Sequence, residues 1–484
     1  MKKLSNYIDG QLIPPVNKSY INNYNPSNGK PYSLTPDSCF QDVKLASKAA
    51  KKAFKNWSEQ KKEFRYAWMM KLAKAIDDNS KNLIVAESRD NGKPEWLAEQ
   101  VDIPRCSENF RFFATAMLHF ESKCHNMNND ALNYTLKKPV GVAGCISPWN
   151  LPLYLLTWKI APAIAAGNTV IAKPSEVTPY TAYLFSKICA KINFPKGVIN
   201  IVHGLGKTAG SSVVKYSDII SFTGGTETGR VVATSAAKDF KKCSLELGGK
   251  NPTVVFNDCD FESTIDIAIK SGFLNQGQIC LCGSRIFIEE SIYTKFRTAF
   301  VKKAKNVLVG DPKNPNNNLG AIVSEEHLNK IISKINLAKR DGGKILCGGD
   351  RLFLKGKLSG GYYLKPTVIE GLDYKHEINQ EEIFGPVVTL IPFNREKDLI
   401  KMCNSTKYGL SASIFSNNVS KAHRVAAKID AGVIWVNTWL LRDLRIPFGG
   451  VKHSGLGREG GFYSLEFFTE SKNVCIKIEN GVNK

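Results

Sequence analysis

The stretch Val142-Ala143-Gly144-Cys145-Ile146-Ser147-Pro148-Trp149-Asn150-Leu151-Pro152 decides how the chain is read. A short apolar run ends in a turn held by two prolines, the pattern of a buried parallel strand closing at a sheet edge. Thr169-Val170-Ile171-Ala172, Val198-Ile199-Asn200-Ile201-Val202 and Ile219-Ile220-Ser221-Phe222 repeat the apolar run, with helix-forming stretches Tyr180–Ile192 and Thr208–Lys215 between them. That alternation predicts a doubly wound α/β lobe. It resumes after Lys250 with Thr253-Val254-Val255-Phe256, Arg285-Ile286-Phe287-Ile288 and Gly432-Val433-Ile434-Trp435-Val436. Two α/β lobes joined near Gly248-Gly249 are expected.

Towards the amino terminus, Asp42–Trp57 and Lys61–Ser80 carry apolar residues at helical spacing and read as exposed helices. The polar segment Glu121–Tyr134 and the tail Ser471–Lys484, with its alternating Val474-Cys475-Ile476-Lys477-Ile478, fit neither lobe. They read as strand arms whose edges need a partner chain.

At 484 residues, 43% hydrophobic and 23% charged, the chain is a multi-unit globular protein. The net charge of +22 is mostly lysine spread along the length. No arginine-rich block or aromatic-basic motif accompanies it, so a solvated surface fits better than nucleic-acid binding. Leu151–Ala172 is broken by Lys159, Pro152, Pro162 and Asn168, so it reads as core and no membrane span is expected. Met1-Lys2-Lys3-Leu4-Ser5-Asn6-Tyr7 has no apolar run behind its lysines, so no secretory signal is expected. The 12 cysteines are scattered without a C-x-x-C pair, which predicts no metal site and suits a reducing cytoplasm.

Two glycine turns carry the chemistry. Leu245-Glu246-Leu247-Gly248-Gly249-Lys250 presents a carboxylate, and Asn275-Gln276-Gly277-Gln278-Ile279-Cys280 a thiol. A thiolate attacks carbonyl carbon, and a carboxylate activates the water that frees an acyl group from sulfur. The pair points to covalent catalysis through a thioester. Asn150, between its prolines, suits a fixed amide donor for an oxyanion and equally suits a rigid turn. Phe222-Thr223-Gly224-Gly225-Thr226-Glu227-Thr228-Gly229 opens a helix after a strand, as does Gly204-Leu205-Gly206-Lys207-Thr208-Ala209-Gly210. Either fits a pyrophosphate cradle or a tight strand–helix turn. Lys173 and Glu176, on another strand-end loop, suit the hydroxyls of an adenosine ribose or an ordinary charged surface. A carboxylate there repels a ribose phosphate, which favours NAD over NADP.

Taken together, these motifs resemble the aldehyde dehydrogenase superfamily over nearly the whole chain. The resemblance implies two Rossmann-like doubly wound lobes with a β-arm for oligomerisation. It divides the chain into an NAD-binding domain (1–119 and 138–248), a catalytic domain (249–448), and an arm with tail (120–137 and 449–484). It makes Cys280 the nucleophile, Glu246 the general base, and Asn150 an oxyanion donor beside the Cys280 N–H. Lys173, Glu176, Gly225, Gly229, Glu382 and Phe384 match cofactor-holding positions. Ile146, Trp149 and Ser175 fall to the same NAD site, as do Gly206, Gly210, Thr226 and Leu247. Activation of the thiol by its loop amides and by the cationic nicotinamide ring is expected. Relatives that pass the acyl group to coenzyme A commonly lack the glutamate, so release by water is implied.

For substrate, Thr438-Trp439-Leu440-Leu441-Arg442-Asp443-Leu444-Arg445-Ile446-Pro447-Phe448 is informative. By resemblance this loop lies at the tunnel mouth and looks like the branch that oxidises 2-hydroxymuconic and 2-aminomuconic semialdehydes. Arg442 and Arg105 are then the substrate-binding cations for a carboxylate. An interfacial ion pair, such as Asp443 with Arg445, is the plainer reading of the loop's charges. A general aliphatic or betaine-type aldehyde dehydrogenase is the alternative, though a cationic substrate prefers an aromatic or acidic tunnel. A cofactor-free cysteine hydrolase lacks a histidine motif beside Cys280, and a non-catalytic protein leaves Cys280, Glu246 and Asn150 unexplained. A cytoplasmic homodimer or homotetramer is expected.

Overall fold

The computed structural model describes residues 1–128 and 130–478. Among them, an eight-stranded sheet runs in the order Gly455–Leu456, Cys243–Glu246, Ile219–Thr223, Val142–Ile146, Thr169–Lys173, Ile199–Ile201, Asn6–Ile8, Gln11–Ile13. The five inner strands, from Cys243–Glu246 to Ile199–Ile201, are parallel. Their side chains are buried on both faces, which is why they read as continuous apolar runs. The chain lays strands to one side of Val142–Ile146 and then returns to the other with Ile219–Thr223. The crevice outside their carboxyl ends is therefore a topological switch point, where such sheets bind ligands.

The second lobe is built on a seven-stranded sheet ordered Lys344–Cys347, Thr367–Glu370, Val387–Phe393, Arg285–Glu289, Pro252–Val255, Ser411–Phe415, Val433–Val436. All neighbours are parallel except the first pair. The doubly wound architecture matches the alternation in the sequence.

Two expectations about the chain's outer parts change. The helix Phe40–Trp57 is not simply an exposed one: Val43, Ala46 and Ala50 are fully buried and join the core under the first sheet. Helix Lys62–Asp78 likewise buries Met69, Leu72, Ala73 and Ile76 against the helix Ile103–Leu118. The apolar stripes legible in the sequence are the faces these helices bury. Residues 449–468, which the resemblance puts with the arm and tail, pair with strands of the lobes. Gly455–Leu456 pairs antiparallel with Cys243–Glu246, and Val451–Lys452 with Tyr408–Gly409.

The arm is a three-stranded antiparallel sheet, Cys124–Met127, Ala131–Pro139 and Thr469–Lys477. Leu132, Leu136, Ile476 and Ile478 are exposed on it. Residues 479–484 of the expected tail strand lie outside the described residues. Among the described residues no helix is long and apolar enough to cross a membrane.

Candidate active site

One cavity of about 700 Å³ runs between the lobes at the switch point. Cys280, Glu246 and Asn150 all line it. So do Ile146, Trp149, Lys173, Ser175, Glu176, Gly206, Gly225, Leu247, Glu382 and Phe384, and at the far end Arg105 and Arg442. The two arginines thus share the cavity that holds the thiol. Gly210, Thr226 and Gly229 lie outside the lining. Gly229 is one turn inside the helix Thr226–Ala237, where a Cβ would stand 2.4 Å from the Leu247 side chain. Its glycine serves helix–strand packing.

The cysteine loop is bent by Asn275, Gln276 and Gly277, all with positive φ (53°, 58° and 69°). At Gly277 a Cβ would lie 2.1 Å from the Gly385 carbonyl, so only glycine lets this loop meet the Glu382–Phe384 loop. Asn251 pins the far side, donating from Nδ2 to the carbonyls of Cys280 (2.7 Å) and Cys282 (2.9 Å). The Cys280 N–H finds no acceptor among the described residues. Asn150 Nδ2 donates one hydrogen to the Gln278 carbonyl at 3.0 Å, which fixes the amide and leaves its second hydrogen free. A free backbone N–H and a free amide hydrogen in one cavity are the kind of donors an oxyanion needs.

Burial pushes the Cys280 thiol far above its ordinary value, Glu382 and Glu246 add to this, and Arg442 opposes it. Glu246 is likewise pushed well above the carboxylate range by burial and by Glu459, against Lys159, Arg442 and Arg458. Its Oε1 is buried without a partner. Below it sits a buried ion pair that the sequence did not reveal. Lys159 Nζ lies 2.9 Å from Glu459 Oε1, and Trp158 Nε1 donates to Glu459 Oε2 at 2.7 Å. The Ser221 hydroxyl lies 3.1 Å from the same Oε1.

At the cofactor end, Lys173 is bonded to Glu176, and Glu176 Oε1 accepts from the Gly206 N–H at 3.4 Å. Burial raises the Glu176 carboxyl, but Lys173 more than reverses this and holds it below its ordinary value. Glu382 Oε1 accepts from the Gly249 N–H at 2.9 Å, and burial pushes its carboxyl up to about 7. Phe384 has φ 60°, and its carbonyl lies 2.7 Å from His327 Nε2. Burial lowers His327 to about 4, so the neutral ring donates there from Nε2. Trp149, His327 and Phe384 stack edge to face at 5.2–6.2 Å and close the cavity between lobes. A switch point, strand-end acids facing the cavity and the amino end of the helix Thr226–Ala237 fit a nicotinamide dinucleotide.

At the other end, the Arg442 guanidinium lies 3.8 Å from the Phe448 ring centroid and donates to the Tyr154 hydroxyl at 3.2 Å. Its Nε is buried without a partner, and no carboxylate pairs with it among the described residues. Arg105 stands 5.8 Å over the Tyr154 ring and reaches Glu108 at 3.4 Å. The ion pair weighed for this loop does occur, between Arg445 and Asp443 at 2.6 Å, and it leaves Arg442 unused.

The sequence model of the Aldehyde dehydrogenase family matches residues 13–474. The 2-aminomuconic semialdehyde dehydrogenase of Danio rerio is 48% identical, over 98% of each chain. The 2-hydroxymuconic semialdehyde dehydrogenase of a Pseudomonas sp. is 39% identical over 99% of this chain and all of that one. The NAD+ complex of an aldehyde dehydrogenase from Bacillus cereus superposes with a TM-score of 0.96 at 35% identity, covering 99% of this chain and 97% of that chain.

Proposed function

The chain belongs to the aldehyde dehydrogenase family, and from that membership we propose that it oxidises a carboxylated semialdehyde of the 2-aminomuconic or 2-hydroxymuconic kind, with NAD as acceptor. The observation that carries the substrate class is Arg442. It is a permanent cation set on an aromatic face inside the cavity, with a buried unpartnered Nε and no carboxylate in salt-bridge contact among the described residues. Such a group is costly to bury unless an anion arrives to pair with it. A betaine-type cation would meet two arginines, which disfavours it.

Cys280 attacks the aldehyde carbon as its thiolate, the thiol proton having left to solvent, so that Glu246 stays a free base for the later step. Asn150 Nδ2 and the Cys280 N–H hold the oxyanion of the thiohemiacetal. NAD, when bound, supplies the hydride acceptor and a cationic ring. The thioester left on Cys280 is opened by water that Glu246 deprotonates, and the acid departs. Lys173, Ser175 and Glu176 would hold the adenosine ribose. Ile146, Trp149, Gly206, Gly225 and Leu247 would wall the dinucleotide, and Glu382 and Phe384 would hold its nicotinamide side. NAD is preferred over NADP because the Glu176 carboxylate repels a ribose phosphate. Free cysteines throughout support a cytoplasmic setting. The apolar residues exposed on the arm support a homodimer or homotetramer.

The deciding experiment measures kcat/KM by NADH formation for 2-aminomuconic or 2-hydroxymuconic semialdehyde beside an uncharged aldehyde of equal length. A preference of at least about tenfold for the carboxylated aldehyde is expected, as one charge-assisted contact supplies. Equal values overturn the substrate assignment and leave a general aldehyde dehydrogenase.

A further inference from the structure

Behind Asn150 lies a second buried charged cluster that the reaction does not use. Glu87, Lys93 and Asp102 are all fully buried. Lys93 follows the helix Ser80–Asn91 after the left-handed Gly92 (φ 87°), and Asp102 closes a π-helical turn, Ala98–Asp102, that reaches the cavity wall. Lys93 Nζ donates to Asp102 Oδ2 at 2.8 Å and to the Asn150 carbonyl at 3.1 Å. The same carbonyl receives Asn275 Nδ2 at 3.1 Å and Asn91 Nδ2 at 3.3 Å. Three donors on one backbone oxygen, one of them charged, exceed its two lone pairs.

The cluster is expensive. Glu87 Oε2, Asp102 Oδ1 and Asn91 Oδ1 are buried without partners. Burial pushes the Glu87 carboxyl up to about 8 and raises Asp102 as well, and Asp102 is the one in salt-bridge contact with the lysine, at 2.8 Å. For stability alone, apolar packing of equal volume would do as well or better. What the cluster achieves locally is to lock the Asn150 peptide, while Gln278 locks its side chain.

We propose that Lys93 is a positioning residue for the oxyanion site: braced on Asp102, it fixes the Asn150 carbonyl and so aims the Asn150 amide at the oxygen of the bound aldehyde. This rests on the oxyanion role given to Asn150 above. An amide misaimed by a fraction of an ångström loses much of its hold on a developing charge.

The test uses full-length Lys93→Met and the charge-balanced Lys93→Met/Asp102→Asn, with Asn150→Ala as reference. Three readouts are compared: aldehyde turnover, hydrolysis of an activated ester through Cys280, and alkylation of Cys280 by iodoacetamide. Ester hydrolysis passes through an oxyanion, whereas alkylation at a saturated carbon makes none. Both acyl reactions are expected to fall about tenfold to a hundredfold in kcat, with KM and the alkylation rate near wild type. Turnover within threefold of wild type overturns the proposal, as does alkylation falling in step with turnover. Failure of both variants to fold assigns Lys93 to the fold and overturns it too. If Asn150→Ala itself keeps full activity, the oxyanion assignment falls, and the Lys93 proposal with it.

Discussion

The two ends of the cavity treat charge in opposite ways. At the cofactor end the acids and the base are already partnered: Glu176 with Lys173 and the Gly206 N–H, Glu382 with the Gly249 N–H. At the aldehyde end they are not: Glu246 Oε1 and Arg442 Nε are buried and alone. A partnered end is already in order before its ligand arrives. An unpartnered end carries a standing cost that only a ligand of the right charge relieves, and selectivity belongs there.

The sharpest test of that contrast is Glu246→Gln. It keeps the shape and removes the base, so steady-state turnover is expected to drop by about 10³-fold, with acylated Cys280 accumulating in the mass spectrum of the quenched enzyme. Unchanged turnover would mean that its lone oxygen is incidental. Next comes Arg442→Ala, expected to cut kcat/KM for the carboxylated aldehyde by about 10²-fold and to leave the uncharged aldehyde within about threefold. Parallel losses on both aldehydes would make Arg442 a structural residue.

The partnered end predicts smaller effects. Glu176→Gln removes the repulsion of a ribose phosphate, and the ratio of NAD to NADP kcat/KM is expected to shrink by about tenfold. With Glu382 raised to about 7, its carboxylate form grows as pH rises through neutrality. Cofactor affinity, read by fluorescence titration, is therefore expected to strengthen a few-fold from about pH 6 to 8 and to lose that slope in Glu382→Gln. Least of all, Arg105→Ala is expected to change kcat/KM by only about threefold, because Glu108 already shares its charge at the exposed rim.

How legible each part was follows from how local its cause is. Strands such as Val142–Ile146 and Thr169–Lys173 declare themselves because parallel strands are apolar on both faces. Cys280, Glu246 and Asn150 stand out because glycine and proline turns frame each of them. Tyr154 and Lys159 lie on one helix, Lys93 in a loop and Glu459 in an isolated β-bridge, and their neighbours in the chain do not show what they meet. Their meaning comes from partners far away, 57 residues for Lys93 with Asn150 and 300 for Lys159 with Glu459. The place of 449–468 is hard to read from sequence for the same reason: its two short strands are defined only by the sheets they join.

The strand Cys243–Glu246 is covered on its open side by Gly455–Leu456, and Lys159 meets its counter-ion only when Glu459 is in place. On the ribosome, the first lobe therefore emerges with an uncovered strand edge and a lysine without its acid, and waits for the entire second lobe to be translated. Such a nascent lobe is a natural client for chaperones, and a chain that stops short of Glu459 is built without the surroundings of Glu246.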